Sequence, residues 1–243
     1  MSIAVEICID SPTIEAVTAS VGASYRGGAA TVELCGTMNR GGLSPSRDAV
    51  LAARKAFGSR KGLVVMVRPR DGGFAFDDTE IEGMEREIET AAALGADGVA
   101  IGMLRAVDNC VDTVALKRIA ERCASCGLAM TFHRAFDATP DPLETLNICI
   151  EYGISRVLTS GIHWGCKGNA LDGASKIAAT IRHARGRVEV VIGGGVSTKI
   201  APGILSSIPL DIGPVSLHAY SSVLVDDCAD LDAIRTLVSV AER

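Results

Sequence analysis

A chain of 243 residues, 48% hydrophobic and 22% charged, has ample material for a packed core and is near the usual length of a single α/β barrel. A net charge of −5 with no Lys/Arg cluster excludes bulk binding to nucleic acid or to anionic membranes. No apolar run approaches the roughly 20 residues needed to cross a bilayer, and the start of the chain lacks the basic and hydrophobic segments of a signal peptide.

The first strand is predicted over 3–9 and contains Val5-Glu6-Ile7-Cys8; a helix follows near 12–24. The second strand, 30–35, repeats the pattern as Val32-Glu33-Leu34-Cys35. In both, Glu and Cys stand two residues apart and so share one strand face. A carboxylate among apolar residues requires a partner. After a helix at 46–58, a third strand over 62–68 leads into Arg68-Pro69-Arg70, then a helix at 78–94. Strands at 97–102, 128–133 and 155–160 alternate with helices at 111–125, 142–152 and 170–184. The seventh strand, 188–193, runs into Gly193-Gly194-Gly195. A helix at 197–207, a strand at 213–218 and a helix at 230–241 complete the series.

Eight strand–helix units imply a parallel sheet with helices outside, closing as one (β/α)8 TIM barrel over residues 1–243. Gly95, Gly127 and Gly153 stand where helix C-caps require them. An open doubly wound sheet would want a phosphate loop after the first strand, where Cys8-Ile9-Asp10-Ser11-Pro12 stands instead. The eight cysteines are spread over strands and helices of a chain that needs no staples, so they read as free thiols of a reducing compartment, the cytoplasm.

In a barrel the aliphatic alternation class faces the helices and the other class fills the interior. The inward class then contains Glu6, Cys8, Glu33, Cys35, Met66, Arg68, Ala100, Gly102, Thr131, His133, Ser216 and His218. Strand six cannot be assigned by this pattern. The polar inward residues lie toward the C-terminal strand ends, where barrel enzymes keep their active sites. Glu6 and Glu33 are candidate acid and base, and His133 and His218 candidate proton carriers. Arg68, Arg70 and Arg134 offer forked donors to an anion. Backbone N–H groups at Gly193, Gly194 and Gly195, read as opening the seventh helix, offer an anion cradle.

Glu6-Ile7-Cys8, Val32–Cys35, Gly41-Gly42-Leu43-Ser44-Pro45-Ser46, Arg68-Pro69-Arg70, Thr131-Phe132-His133-Arg134-Ala135-Phe136-Asp137, Leu158-Thr159-Ser160-Gly161 and Gly193–Gly195 together resemble the CutC family of copper-homeostasis proteins. The resemblance runs in order from about residue 5 to residue 218 and adds Asp137 and Ser160 to the candidate substrate-binding residues. It implies a cytoplasmic (β/α)8 barrel that self-associates as a homodimer or larger homo-oligomer and handles copper. The chain departs from the family pattern at Arg40, Asp71, Ser216 and Tyr220, and in a longer stretch after Gly161 that carries His163, Trp164 and Cys166.

Two functions follow as expectations. Cu(I) favours soft thiolates, and Cys8 with Cys35 on neighbouring strands are the candidate metal ligands. Cys123 and Cys126, a lone pair on a helix end, are not. The alternative is lyase- or isomerase-type acid–base chemistry on a small anionic or sugar-like carbonyl compound, its anion held between Arg68, Arg70 and Gly193–Gly195. No lysine falls inward at a strand end, which argues against a Schiff base.

Overall fold

The structure is a computed structural model that describes residues 3–242. Eight parallel strands, β1 (Ala4–Asp10), β2 (Thr31–Cys35), β3 (Leu63–Met66), β4 (Gly98–Ile101), β5 (Ala129–Phe132), β6 (Arg156–Thr159), β7 (Glu189–Ile192) and β8 (Val215–Ala219), close in sequence order into one barrel, β8 pairing back to β1. Helices α1 (Ile14–Gly27), α2 (Arg47–Phe57), α3 (Asp78–Ala93), α4 (Thr113–Cys126), α5 (Pro142–Glu151), α6 (Ala174–Ala184), α7 (Ala201–Ser206) and α8 (Leu231–Ala241) alternate with them. Local chemistry sets several helix starts. Asp77 and Glu80 form a capping box on α3, and Asp112, Asp141 and Asp230 cap α4, α5 and α8.

Two layers follow from the alternation. Val5, Ile7, Val32, Leu34, Val99 and Ile101 belong to the large core between strands and helices. The barrel interior holds only a small apolar cluster of Cys8, Cys35, Val64, Met66 and Ala100. The rest of the lumen mixes polar side chains with Leu158 and Val191. β6, which the pattern left unassigned, turns Arg156 and Leu158 away from the helix layer that holds Val157.

Boundaries shift where the backbone finds other partners. β3 stops at Met66 rather than 68, because Arg68 exchanges hydrogen bonds with Ser44: its N–H donates to Ser44 Oγ (2.9 Å) and its carbonyl accepts from the Ser44 N–H (3.0 Å). α7 begins at Ala201 rather than 197, since Pro202 is tolerated only in the first helical turn. The triple glycine therefore does not open that helix. A short hairpin, β9 (Leu224–Val225) with β10 (Cys228–Ala229), was not foreseen. Asp226 and Asp227 turn it with φ of 49° and 60°, as a tight two-residue turn demands.

Candidate functional site

The C-terminal mouth of the barrel opens into a cavity of about 270 Å³. Of the residues singled out by sequence, Cys8, Glu33, Cys35, Arg68, His133, Arg134, Gly193, Gly194, Gly195 and His218 line it. Glu6, Arg70, Asp137 and Ser160 do not.

Glu6 lies beneath the floor, fully buried. Its carboxylate accepts from Thr31 Oγ1 (2.8 Å) and Arg156 Nη1 (2.6 Å) and pairs with His218 Nδ1 (2.8 Å). Arg156 also reaches Glu189 (3.1 Å). Burial alone would raise Glu6, but Arg156 and His218 outweigh it and hold the carboxyl far below the usual range. It is therefore a charged support for His218 that does not itself line the cavity.

Glu33 is the opposite case. Its carboxyl is buried, Oε2 has no hydrogen-bond partner, and Oε1 accepts only a long bond from Cys35 Sγ at 3.6 Å among the described residues. Burial lifts it to about 8, so it is a neutral acid at pH 7. Two glutamates at matching positions of similar strand sequences thus end in opposite protonation states. What separates them is Arg156, which sequence reasoning missed because strand six gave no clear alternation.

Arg70 does not join Arg68. The chain has left the strand after Met66, and Arg70 turns outward to Glu80 (2.5 Å) and the Ala75 carbonyl (2.6 Å). Asp137 is buried and spent on structure: it accepts from Arg134 Nε, Thr159 Oγ1 and the Ser160 N–H (2.9 Å). With Ser160 Oγ bonded to Arg134 (2.9 Å), it aims the Arg134 guanidinium over Gly194, where an added Cβ would lie 3.7 Å from Nη1 and 2.7 Å from Ser160 Cβ. The cradle also needs correction by one residue. Gly193 N–H is taken by the Thr159 carbonyl (2.9 Å), whereas among the described residues nothing accepts from the N–H groups of Gly194, Gly195 or Val196.

Three sulfurs meet on the cavity floor. Cys8 Sγ lies 3.9 Å from Cys35 Sγ and 3.8 Å from Met38 Sδ. The register pairs Cys8 with Glu33, so Cys35 stands one pleat higher on β2, and its side chain still reaches Cys8. Met38 carries no strand signal and was missed. It arrives because Thr37 takes a left-handed φ of 53°, rare for a β-branched residue, and Asp10 Oδ1 accepts its N–H (3.2 Å). Gly42 closes the turn where a Cβ would press on Met38 Sδ (3.3 Å) and Cys35 Sγ (3.5 Å). Cys8, Glu33 and His218 each place a potential ligand atom within 4.8 Å of the other two. Hydrogen bonding with Cys35, against the cost of burial and helped by His218, draws the Cys8 thiol down to about 6. Cys35 is pushed well above the usual thiol range by Cys8 and by burial. Burial opposes a charge on His218, yet Cys8 and Glu6 keep it protonated well above the usual range.

The outer wall is aromatic. Phe74 and Trp164 meet edge to face at 5.3 Å, and Arg134 lies 5.4 Å from the Trp164 ring. Of the long loop after Gly161, Trp164 therefore belongs to the cavity, while His163 and Cys166 are exposed. Cys123 and Cys126 lie on α4, away from the mouth.

Comparison with known proteins agrees with the motif resemblance. The model of the CutC family matches residues 3–209. A CutC family protein of Xanthomonas campestris is 40% identical over 187 residues, 76% of this chain and 74% of that protein. The human copper homeostasis protein cutC homolog is 37% identical over 200 residues, 82% of this chain and 68% of its own length. The crystal structure of the putative copper homeostasis protein CutC from Streptococcus agalactiae superposes with a TM-score of 0.79 at 27% identity, covering 91% of this chain and all of that one.

Proposed function

Because the chain belongs to the CutC family, we propose that it handles copper by binding Cu(I) at the barrel mouth through the thiolates of Cys8 and Cys35, with Met38 as a third soft donor. The observation that carries this reading is that two further sulfurs, Cys35 Sγ and Met38 Sδ, lie within 3.9 Å of Cys8 Sγ. Soft thiolate and thioether ligands select Cu(I), and two sulfurs 3.9 Å apart are bridged by one ion at a metal–sulfur distance of about 2.3 Å. Cys8 is largely thiolate near neutral pH, the form that ligates. The Cys35 thiol and then the His218 imidazolium favour the Cys8 thiolate, and Glu6 in turn holds His218. Every cysteine of the chain is a free thiol, which supports a reducing, cytoplasmic setting.

The test is a Cu(I) titration against a chromophoric chelator, anaerobically and in chloride buffer. Wild type is expected to take up one Cu(I), and the Cys8→Ser/Cys35→Ser double variant to lose it. The Cys123→Ser/Cys126→Ser pair is expected to bind as wild type. Equal uptake by the Cys8→Ser/Cys35→Ser protein would remove this reading.

A further inference from the structure

The cavity has a second pole, separated from the sulfurs by the Gly41–Gly42 turn. Arg68 stands just past β3 and is only 3% exposed, yet no carboxylate among the described residues forms an ion pair with it. Its Nη1 donates to the carbonyls of Gly41 (2.8 Å) and Gly42 (3.4 Å) and its Nη2 to that of Gly72 (2.9 Å). Its Nε–H is buried with no acceptor. A guanidinium carries five N–H donors, so at least two have no partner. Carbonyl dipoles do not neutralise a buried cation, and Asp71, the nearest opposing charge, is paired with Arg40, so the Arg68 charge is only partly compensated, a costly arrangement.

His133 stands beside it and is also 3% exposed. Its Nδ1 accepts the Ala135 N–H (3.1 Å), which places the ring proton on Nε2, and Nε2 is buried without a partner. Both side chains pack on Phe74: the Arg68 guanidinium carbon lies 4.9 Å from the ring centre, and the His133 ring 5.2 Å from it. Burial, then the field of Arg68, brings the imidazole down to about 3, so this residue of the cavity lining is a neutral donor at pH 7. Two donor groups with no acceptor therefore share one aromatic shelf in one cavity. On the glycine side, the N–H groups of Gly194, Gly195 and Val196, unpaired among the described residues, add donors, and the nearby Asp137 is already engaged by Arg134, Thr159 and Ser160.

We propose that this pole binds the oxyanion of a small metabolite, a carboxylate or a phosphate, with Arg68 and the Nε2–H of His133 as its principal donors. At about 270 Å³ the cavity suits a small organic acid or phosphate ester rather than a nucleotide. The proposal does not rest on the copper reading.

The chain's single tryptophan, Trp164, lines the same cavity and supplies the readout. Metal-free protein, with a Cu(I) chelator present, is titrated with pyruvate and separately with inorganic phosphate at constant ionic strength set by chloride. A saturable change in Trp164 fluorescence with at least one of the two is expected, and the tighter probe tells the carboxylate source from the phosphate source. Binding is expected to weaken tenfold or more in Arg68→Met and in His133→Phe, the latter keeping a ring on Phe74 without the N–H. Should Arg68→Met lose its fold with its three loop carbonyls, His133→Phe decides alone. No saturable response to either probe, or a response of wild-type affinity in His133→Phe, would overturn the proposal. Because copper is chelated here and oxyanions are absent from the Cu(I) titration, either reading can fail without the other.

Discussion

Replacing Glu6 with Gln tests the charged layer beneath the mouth. The carboxylate accepts from Thr31, Arg156 and His218 at 2.6–2.8 Å and is wholly enclosed. Gln keeps the shape but carries no charge, and its NH2 must face at least one donor. Breaking a buried pair by removing one partner costs about 3–5 kcal/mol, since the other charge stays buried. For a chain of this size roughly 2 °C accompanies each kcal/mol, so Tm should fall by about 6–10 °C. Urea unfolding followed by circular dichroism measures the loss at pH 7. The sign with pH is fixed by the depressed carboxyl. Its contribution is full above the ordinary glutamate value of 4.5 and is lost as pH falls below that toward the folded value. The gap between wild type and Glu6→Gln is therefore constant from about pH 5.5 to 8 and narrows in acid. A loss below about 1 kcal/mol at pH 7, or a gap that widens on acidification, would refute the assignment of Glu6 as the ionised partner of Arg156.

Glu33→Gln is expected to act in the opposite direction. Glu33 keeps its proton up to about 8 when folded but only to 4.5 when unfolded, so wild type loses stability as pH rises between those values. The variant should gain on wild type across that window, by on the order of 1–4 kcal/mol at pH 8, and parallel urea profiles at pH 5 and pH 8 would contradict this. Gly102→Ala places a Cβ 2.4 Å from His133 Cε1 and should cost about 1–3 kcal/mol through overpacking while shifting Trp164 emission; unchanged thermal unfolding would count against the packed position of His133. Cu(I) affinity should rise with pH from 6.5 to 8, with a slope of about one in log K against pH, because Cys8 is already ionised and Cys35 must release its proton. A chelator competition series with zero slope would exclude Cys35 as a ligand.

Strand alternation made the fold legible. Eight runs with aliphatic residues on one face could only alternate with eight helices, and the inward placement of Glu6, Cys8, Glu33, Cys35, Met66 and Arg68 follows from period two alone. The parts that escaped depend on chain segments without a period. Arg70 sits two residues beyond Arg68, but the strand has already ended at Met66, so the shared face no longer exists and Glu80 takes the side chain. Met38 reaches the cysteines only through a left-handed Thr37 in a loop. Arg156 comes from a strand whose first residue is charged and whose last is Thr, a pattern that both alternation classes fit equally well. Sequence placed Glu6 and Glu33 as an equivalent pair. The long-range contact between Glu6 and Arg156, 150 residues apart, separates them, and no local signal encodes it.

The central claim, that copper sits on the sulfurs of the barrel mouth, is tested most directly by crystals of the Cu(I)-loaded protein measured at the copper absorption edge. An anomalous peak between Cys8 Sγ and Cys35 Sγ, within bonding range of both and near Met38 Sδ, is the result expected. A peak on Cys123 and Cys126, on exposed Cys166, or at no cysteine at all would contradict it.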